Sequence, residues 1–195
     1  MASSVNLTEA TSFADALGND ALLLDRLATQ NPAFRKFARV VMREDVAPRL
    51  ALADLANMAG LPAKYVMEIA KGRAPAAVQP LDEPAYQDCR GRAPAEFEVE
   101  ARTVDVRTDL ENGHEPLGRI LDAVAALGPS EDLVVEATFH PVPLRRMLGG
   151  RGFASYAEML ADQHWRVRFR RETMIGSGEA KASSCCGGCC GSRSA

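Results

Sequence analysis

The sequence predicts an α+β protein: a small N-terminal helical bundle, a C-terminal two-layer βαβαββ sandwich and a disordered Cys-rich tail. Three observations predict it. Apolar residues recur at helical spacing from Thr11 to about Gly72 and with a period of two from about Phe97. Pro75, Pro80, Pro84 and Pro94 lie between these stretches, and prolines at that density disfavour both helix and central strand. The last residues are Gly, Ser, Ala and Cys, which cannot bury a core. The expected divisions are a flexible N-terminus over 1–10, a helical domain over 11–72, a Pro-rich linker over 73–96, an α/β domain over 97–172 and the tail over 173–195.

In the first unit, Phe13, Leu17, Leu24 and Leu27 share helical spacing, and Thr11 or Ser12 is placed to cap their helix. Asn31-Pro32 breaks it and opens a second helix carrying Phe34, Phe37, Val40 and Val41. After Pro48, Leu52 and Leu55 lead through Gly60-Leu61-Pro62 to Tyr65, Val66 and Ile69, a helix, tight turn and helix that Gly72 ends. About four short helices are expected.

In the second unit, residues 102–107 alternate as a strand and Pro116 opens an amphipathic helix with Leu117, Ile120, Leu121 and Val124. Residues 133–139 form the next strand, 143–148 a short helix closed by Gly149-Gly150, and 153–159 a third strand. The fourth, 165–170, sets Trp165, Val167 and Phe169 on one face and Arg166, Arg168 and Arg170 on the other. The first βαβ unit is expected to pair its strands in parallel. The arginine row reads as a solvated, edge-protecting face in preference to an RNA surface, since no aromatic row accompanies it. His164 reads as a plain surface residue.

A net charge of −3 with 25% charged residues argues against a nucleic-acid field or polybasic membrane arm. No apolar run approaches the roughly 18 residues that span a bilayer, and the start lacks a basic region followed by an apolar one, so the expected compartment is the cytoplasm. The helix–turn–helix shape of Leu52–Ala70 offers only Lys64 and Lys71 as basic residues near its second helix, which disfavours DNA reading. No nucleophile–base pair or phosphate-cradling loop marks an enzyme.

Cysteine supplies the chemistry. Cys185, Cys186, Cys189 and Cys190 fall within six residues, too close to staple distant segments. Thiolates at this spacing suit a soft metal ion (zinc, copper(I) or iron–sulfur) or a sulfane sulfur held as persulfide. The plain alternatives are incidental cysteines or a purification-type addition. Cys89, between Asp88 and Arg90, reads as an inert linker thiol or a fifth donor. His114, Glu115 and His140 fall at the C-terminal ends of the two parallel strands, where α/β sheets hold ligands, and form a secondary metal or anion candidate; turn residues capping helices are the alternative.

The runs Val104-Asp-Val-Arg-Thr-Asp-Leu-Glu-Asn-Gly-His-Glu-Pro-Leu, Ile120-Leu-Asp-Ala-Val-Ala-Ala-Leu, Phe139-His-Pro-Val-Pro-Leu and Trp165-Arg-Val-Arg-Phe resemble the DUF2249 family, domains similar to the TusA/SirA sulfur carriers. The resemblance implies a TusA/SirA-like sandwich over about 102–171. The carriers begin their first helix with Cys-Pro-x-Pro. Here the matching stretch is Gly113-His114-Glu115-Pro116, so the nucleophilic cysteine is not carried over. Residues 11–72, through Asn31-Pro-Ala-Phe-Arg-Lys and Leu52-Ala-Asp-Leu-Ala, resemble a second helical domain of unknown function, DUF1858, often fused to such modules. These resemblances imply a setting in nitrogen-oxide or sulfur metabolism. The expected function is an accessory protein that handles a soft metal ion or sulfane sulfur through its C-terminal thiols while docking a client or transfer protein. The alternative is a non-catalytic interaction or regulatory module.

Overall fold

The computed structural model describes residues 7–78 and 101–172. All five cysteines, the linker prolines from Pro80 to Pro94 and the tail lie outside the described residues.

The helical unit contains α1 (Phe13–Asn19), α2 (Leu23–Gln30), α3 (Ala33–Val41), a 3-10 turn (Ala47–Arg49), α4 (Leu52–Ala59) and α5 (Ala63–Ala70). Ser12 caps α1 as expected, its hydroxyl accepting from the Asp15 N–H at 3.1 Å. The expected first helix is two helices. Gly18, Asn19 and Asp20 are weak helix formers, Asn19 donates back to the Asp15 carbonyl at 2.8 Å, and the Asp20 carboxylate accepts from the Leu22 N–H at 3.1 Å. The break resets the helical phase, so Leu23 is buried in place of Leu24 while Leu22 is exposed. Phe13, Leu23, Leu27, Phe34, Leu52 and Val66 fill the bundle core. Gly60, at φ +70, makes the left-handed turn between α4 and α5 that a Cβ would strain. In α5 only Lys64 is fully exposed, while Tyr65, Val66, Met67, Ile69 and Ala70 are buried. The helix–turn–helix shape is thus a packing unit.

The α/β unit contains β1 (Ala101–Asp105), α6 (Arg107–Glu111), α7 (Leu117–Ala125), β2 (Asp132–Ala137), α8 (Val142–Gly150), β3 (Phe153–Ala161) and β4 (His164–Arg171). The strand order is β1-β2-β4-β3, with β1 and β2 parallel and the other pairings antiparallel. The parallel βαβ unit matches the expectation. Sequence pattern did not show α6: β1 ends early because the Asp105 carboxylate accepts from the Arg107 N–H at 3.0 Å and turns the chain into a helical turn. Leu133, Val135, Val167 and Phe169 face α7 and α8, whose Leu121, Met147 and Leu148 close the core.

The two units share one hydrophobic core, and α4 packs against α8. Across the seam Arg151 donates to both carboxylate oxygens of Asp54, at 3.0 and 2.7 Å, and to the Arg49 carbonyl at 2.7 Å. Arg49 reaches back to the Gly118 carbonyl at 3.2 Å and to Asp122 at 2.8 Å. Gly118 lies close beneath the Asp45 carboxylate, which would have to swing aside for a Cβ. Among the described residues no helix is long and apolar enough to cross a membrane.

Candidate functional site

Two features of the α/β unit carry chemistry: a charged sheet face and an apolar cavity between the units.

The charged face is the side of the sheet turned away from α7 and α8. The strand register sets Glu136 opposite Arg166 and Val134 opposite Arg168. Glu136 accepts from Arg166 Nε and Nη2 at 3.0 and 2.7 Å and sits 2.9 Å from His164 Nε2, with Arg107 at 3.6 Å. Asp132 accepts from Arg170 Nε and Nη2 at 2.9 and 2.8 Å. This corrects two expectations. His164 is a half-buried partner of Glu136, and β4 is an interior strand, so its arginines neutralise carboxylates on β2 in place of guarding an edge.

These pairings fix an acid response. Hydrogen bonds from Arg107 hold the Asp105 carboxyl down at about 2. Burial pushes Glu136 up, but hydrogen bonds from Arg166 and His164 outweigh it and leave the carboxyl below its ordinary value. A carboxyl with a lowered folded pKa adds stability that is present above its unfolded value, roughly 4, and is lost as pH falls through the folded one. Stability measured by denaturant melts is therefore expected to fall between about pH 4 and pH 2. Arg166→Ala should make that loss smaller, because the folded pKa of Glu136 then rises towards or above its unfolded value. A loss of undiminished size between about pH 4 and pH 2 would contradict the assignment.

The cavity has a volume of about 250 Å³. Phe37, Val40 and Met58 line it from the helical unit, and Ile120, Phe139 and Met147 from the α/β unit. It opens at the C-terminal ends of β1 and β2 beside the start of α7, the edge where α/β sheets hold ligands. Among the described residues, Lys36 and Glu115 are the only lining residues with polar side chains. Phe37 and Val40, expected in the bundle core with Phe34 and Val41, are only half-buried and border this cavity. The helical stripe was visible in the sequence, but the surface it meets belongs to the other unit.

The secondary candidates separate here. Glu115 lines the cavity and accepts from the Leu117 N–H at 3.3 Å, and burial raises its pKa. His114 is exposed after the left-handed turn at Gly113, its backbone N–H bonded to the Asp109 carbonyl at 2.8 Å. His140 stacks on Trp165, ring centroids 4.8 Å apart, and its Nε2 lies 3.0 Å from Arg145 Nη1. Among the described residues no group of three or more His, Cys, Asp or Glu is arranged to hold a metal ion. Only Glu115 of the three belongs to the cavity wall.

No curated protein and no solved structure matches the chain. Residues 103–171, running from β1 to the end of β4, match the model of a family described as an uncharacterized conserved protein, DUF2249. The match leaves α1–α5 outside it. The α/β unit, with its βαβαββ order and its share of the cavity wall, is therefore similar to DUF2249 domains.

Proposed function

We propose that this is a cytoplasmic accessory protein whose C-terminal thiols take up a soft metal ion or a sulfane sulfur as cargo while the folded body docks a client protein. One observation carries the reading: four cysteines stand within six residues, and no cysteine occurs in the described body, whose core is complete without sulfur chemistry. Thiols outside a core remain available as soft donors. In sulfur uptake, one thiolate attacks the outer sulfur of a donor persulfide. That sulfur bonds to the attacking cysteine, and the donor leaves as a thiolate, so no outside oxidant is needed. A neighbouring thiol then provides the route for release.

The folded unit is the TusA-like part of this reading. Its helix start reads Gly113-His114-Glu115-Pro116 without a cysteine, so the tail stands in for the missing nucleophile.

Titration of the reduced protein with zinc and copper(I) against a competing chelator tests the proposal. The full chain should bind at least tenfold more tightly than a chain ending at residue 175, and the two should melt alike. Equal affinity for both chains would refute it.

The second reading is an interaction module without chemistry of its own. Phe139, Met159 and Leu160 favour it, as large apolar side chains left exposed on the α/β unit. Cellular function retained after removal of 176–195 would select it.

A further inference from the structure

The geometry points to a second binding site, independent of the thiols: the cavity between the units holds a small, mainly apolar molecule anchored by one protonated amine on Glu115. Among the described residues the cavity wall is apolar except for Lys36 and Glu115. Its volume of about 250 Å³ lies below the roughly 300–1,000 Å³ of sites for drug-sized ligands, so the ligand is small.

Glu115 sets the polar end. The Leu117 N–H, at a long 3.3 Å, is its only hydrogen-bond donor among the described residues. The rest of the carboxylate's accepting capacity is therefore unused beside an apolar wall. A partly desolvated carboxylate gains most from a donor that also carries positive charge. Arg43 acts on it only as a distant charge, because its guanidinium is hydrogen-bonded to Asp45 at 2.9 Å. Lys36 does not fill the role of the amine. It is exposed on α3 and forms no ion pair with Glu115 among the described residues.

The same burial raises the pKa of Glu115. A carboxyl whose folded pKa lies above its unfolded one adds stability below the unfolded value and loses it as pH rises through the folded value. Above its folded pKa the charged Glu115 thus works against folding, as a residue kept for a ligand would. A purely structural role predicts the opposite effect on substitution.

Benzylamine serves as the probe, with benzyl alcohol as its uncharged counterpart, in calorimetric or protein-observed NMR titrations at neutral pH. Benzylamine should bind saturably and at least tenfold more tightly than benzyl alcohol. Glu115→Gln should erase that preference while melting at the same or a higher temperature than the parent. Val40→Trp, placed at a half-buried lining position, should weaken both probes. A protein with all four tail cysteines changed to serine should bind benzylamine as the parent does, which keeps this result separate from that of the thiol proposal. Absence of saturable benzylamine binding, equal affinity for the two probes, or an undiminished preference in Glu115→Gln would each overturn the inference.

Discussion

Arg151→Ala is expected to lower the unfolding free energy by about 3 kcal/mol. Asp54 is 4% exposed, and Arg151 supplies both of its inter-unit hydrogen bonds. Removing the arginine leaves a charge within the seam with, among the described residues, only the Ala51 N–H, at 2.7 Å, to compensate it. Breaking a buried pair from one side costs about 3–5 kcal/mol, and the lower end applies because the Arg151 side chain keeps 28% exposure and water can follow it. Arg43→Ala is the control. Its pair with Asp45 has side chains 45% and 50% exposed, and solvent screens such a surface pair so that little stability goes with it. Urea melts of the two variants check the contrast. Equal losses would mean that the seam contributes no more than a surface pair.

Arg170→Ala should be comparably damaging, at about 3 kcal/mol, because Asp132 is 1% exposed and takes two hydrogen bonds from that guanidinium. The neighbouring Arg171→Ala should cost about 0.5–1 kcal/mol, since Arg171 is exposed and lies 4.9 Å over the Phe153 ring. Two adjacent arginines in one strand thus separate a structural charge from a surface one. Similar losses at both positions would show that the arginine row is only a solvated face.

This contrast also shows where the sequence was readable. The alternation Trp165-Arg166-Val167-Arg168-Phe169-Arg170 identifies the strand and its two faces. The partners of the arginines lie outside that reading: the expected strand starts at 133, whereas β2 starts at Asp132, which puts Asp132 and Glu136, four apart, on one face. What alternation cannot supply is strand order. Only the antiparallel placement of β4 beside β2 brings Arg166 opposite Glu136 and makes the row interior.

The same limit applies to the cavity. Phe37 and Val40 repeat at helical spacing and announce an apolar face, but not that the face belongs to a cavity shared with α7 and α8. Glu115 is expected at the C-terminal ends of the parallel strands, and in the structure it lines the cavity beside the start of α7. It was grouped with His114 and His140 because all three follow parallel strands. Side-chain direction separates them: His140 turns onto Trp165, and His114 is exposed. The break at Gly18–Asp20 was also within reach, since three residues that compete with helical hydrogen bonding stand in a row there.

The central proposal is that the tail cysteines are soft donors carried by a body that needs no sulfur. Intact-mass spectrometry with elemental analysis of protein purified without oxygen, set beside the variant with serine at positions 185, 186, 189 and 190, tests this directly. The parent should carry bound metal or added sulfur that the serine variant lacks, and both should fold alike. Equal metal and sulfur content in the two proteins would contradict it.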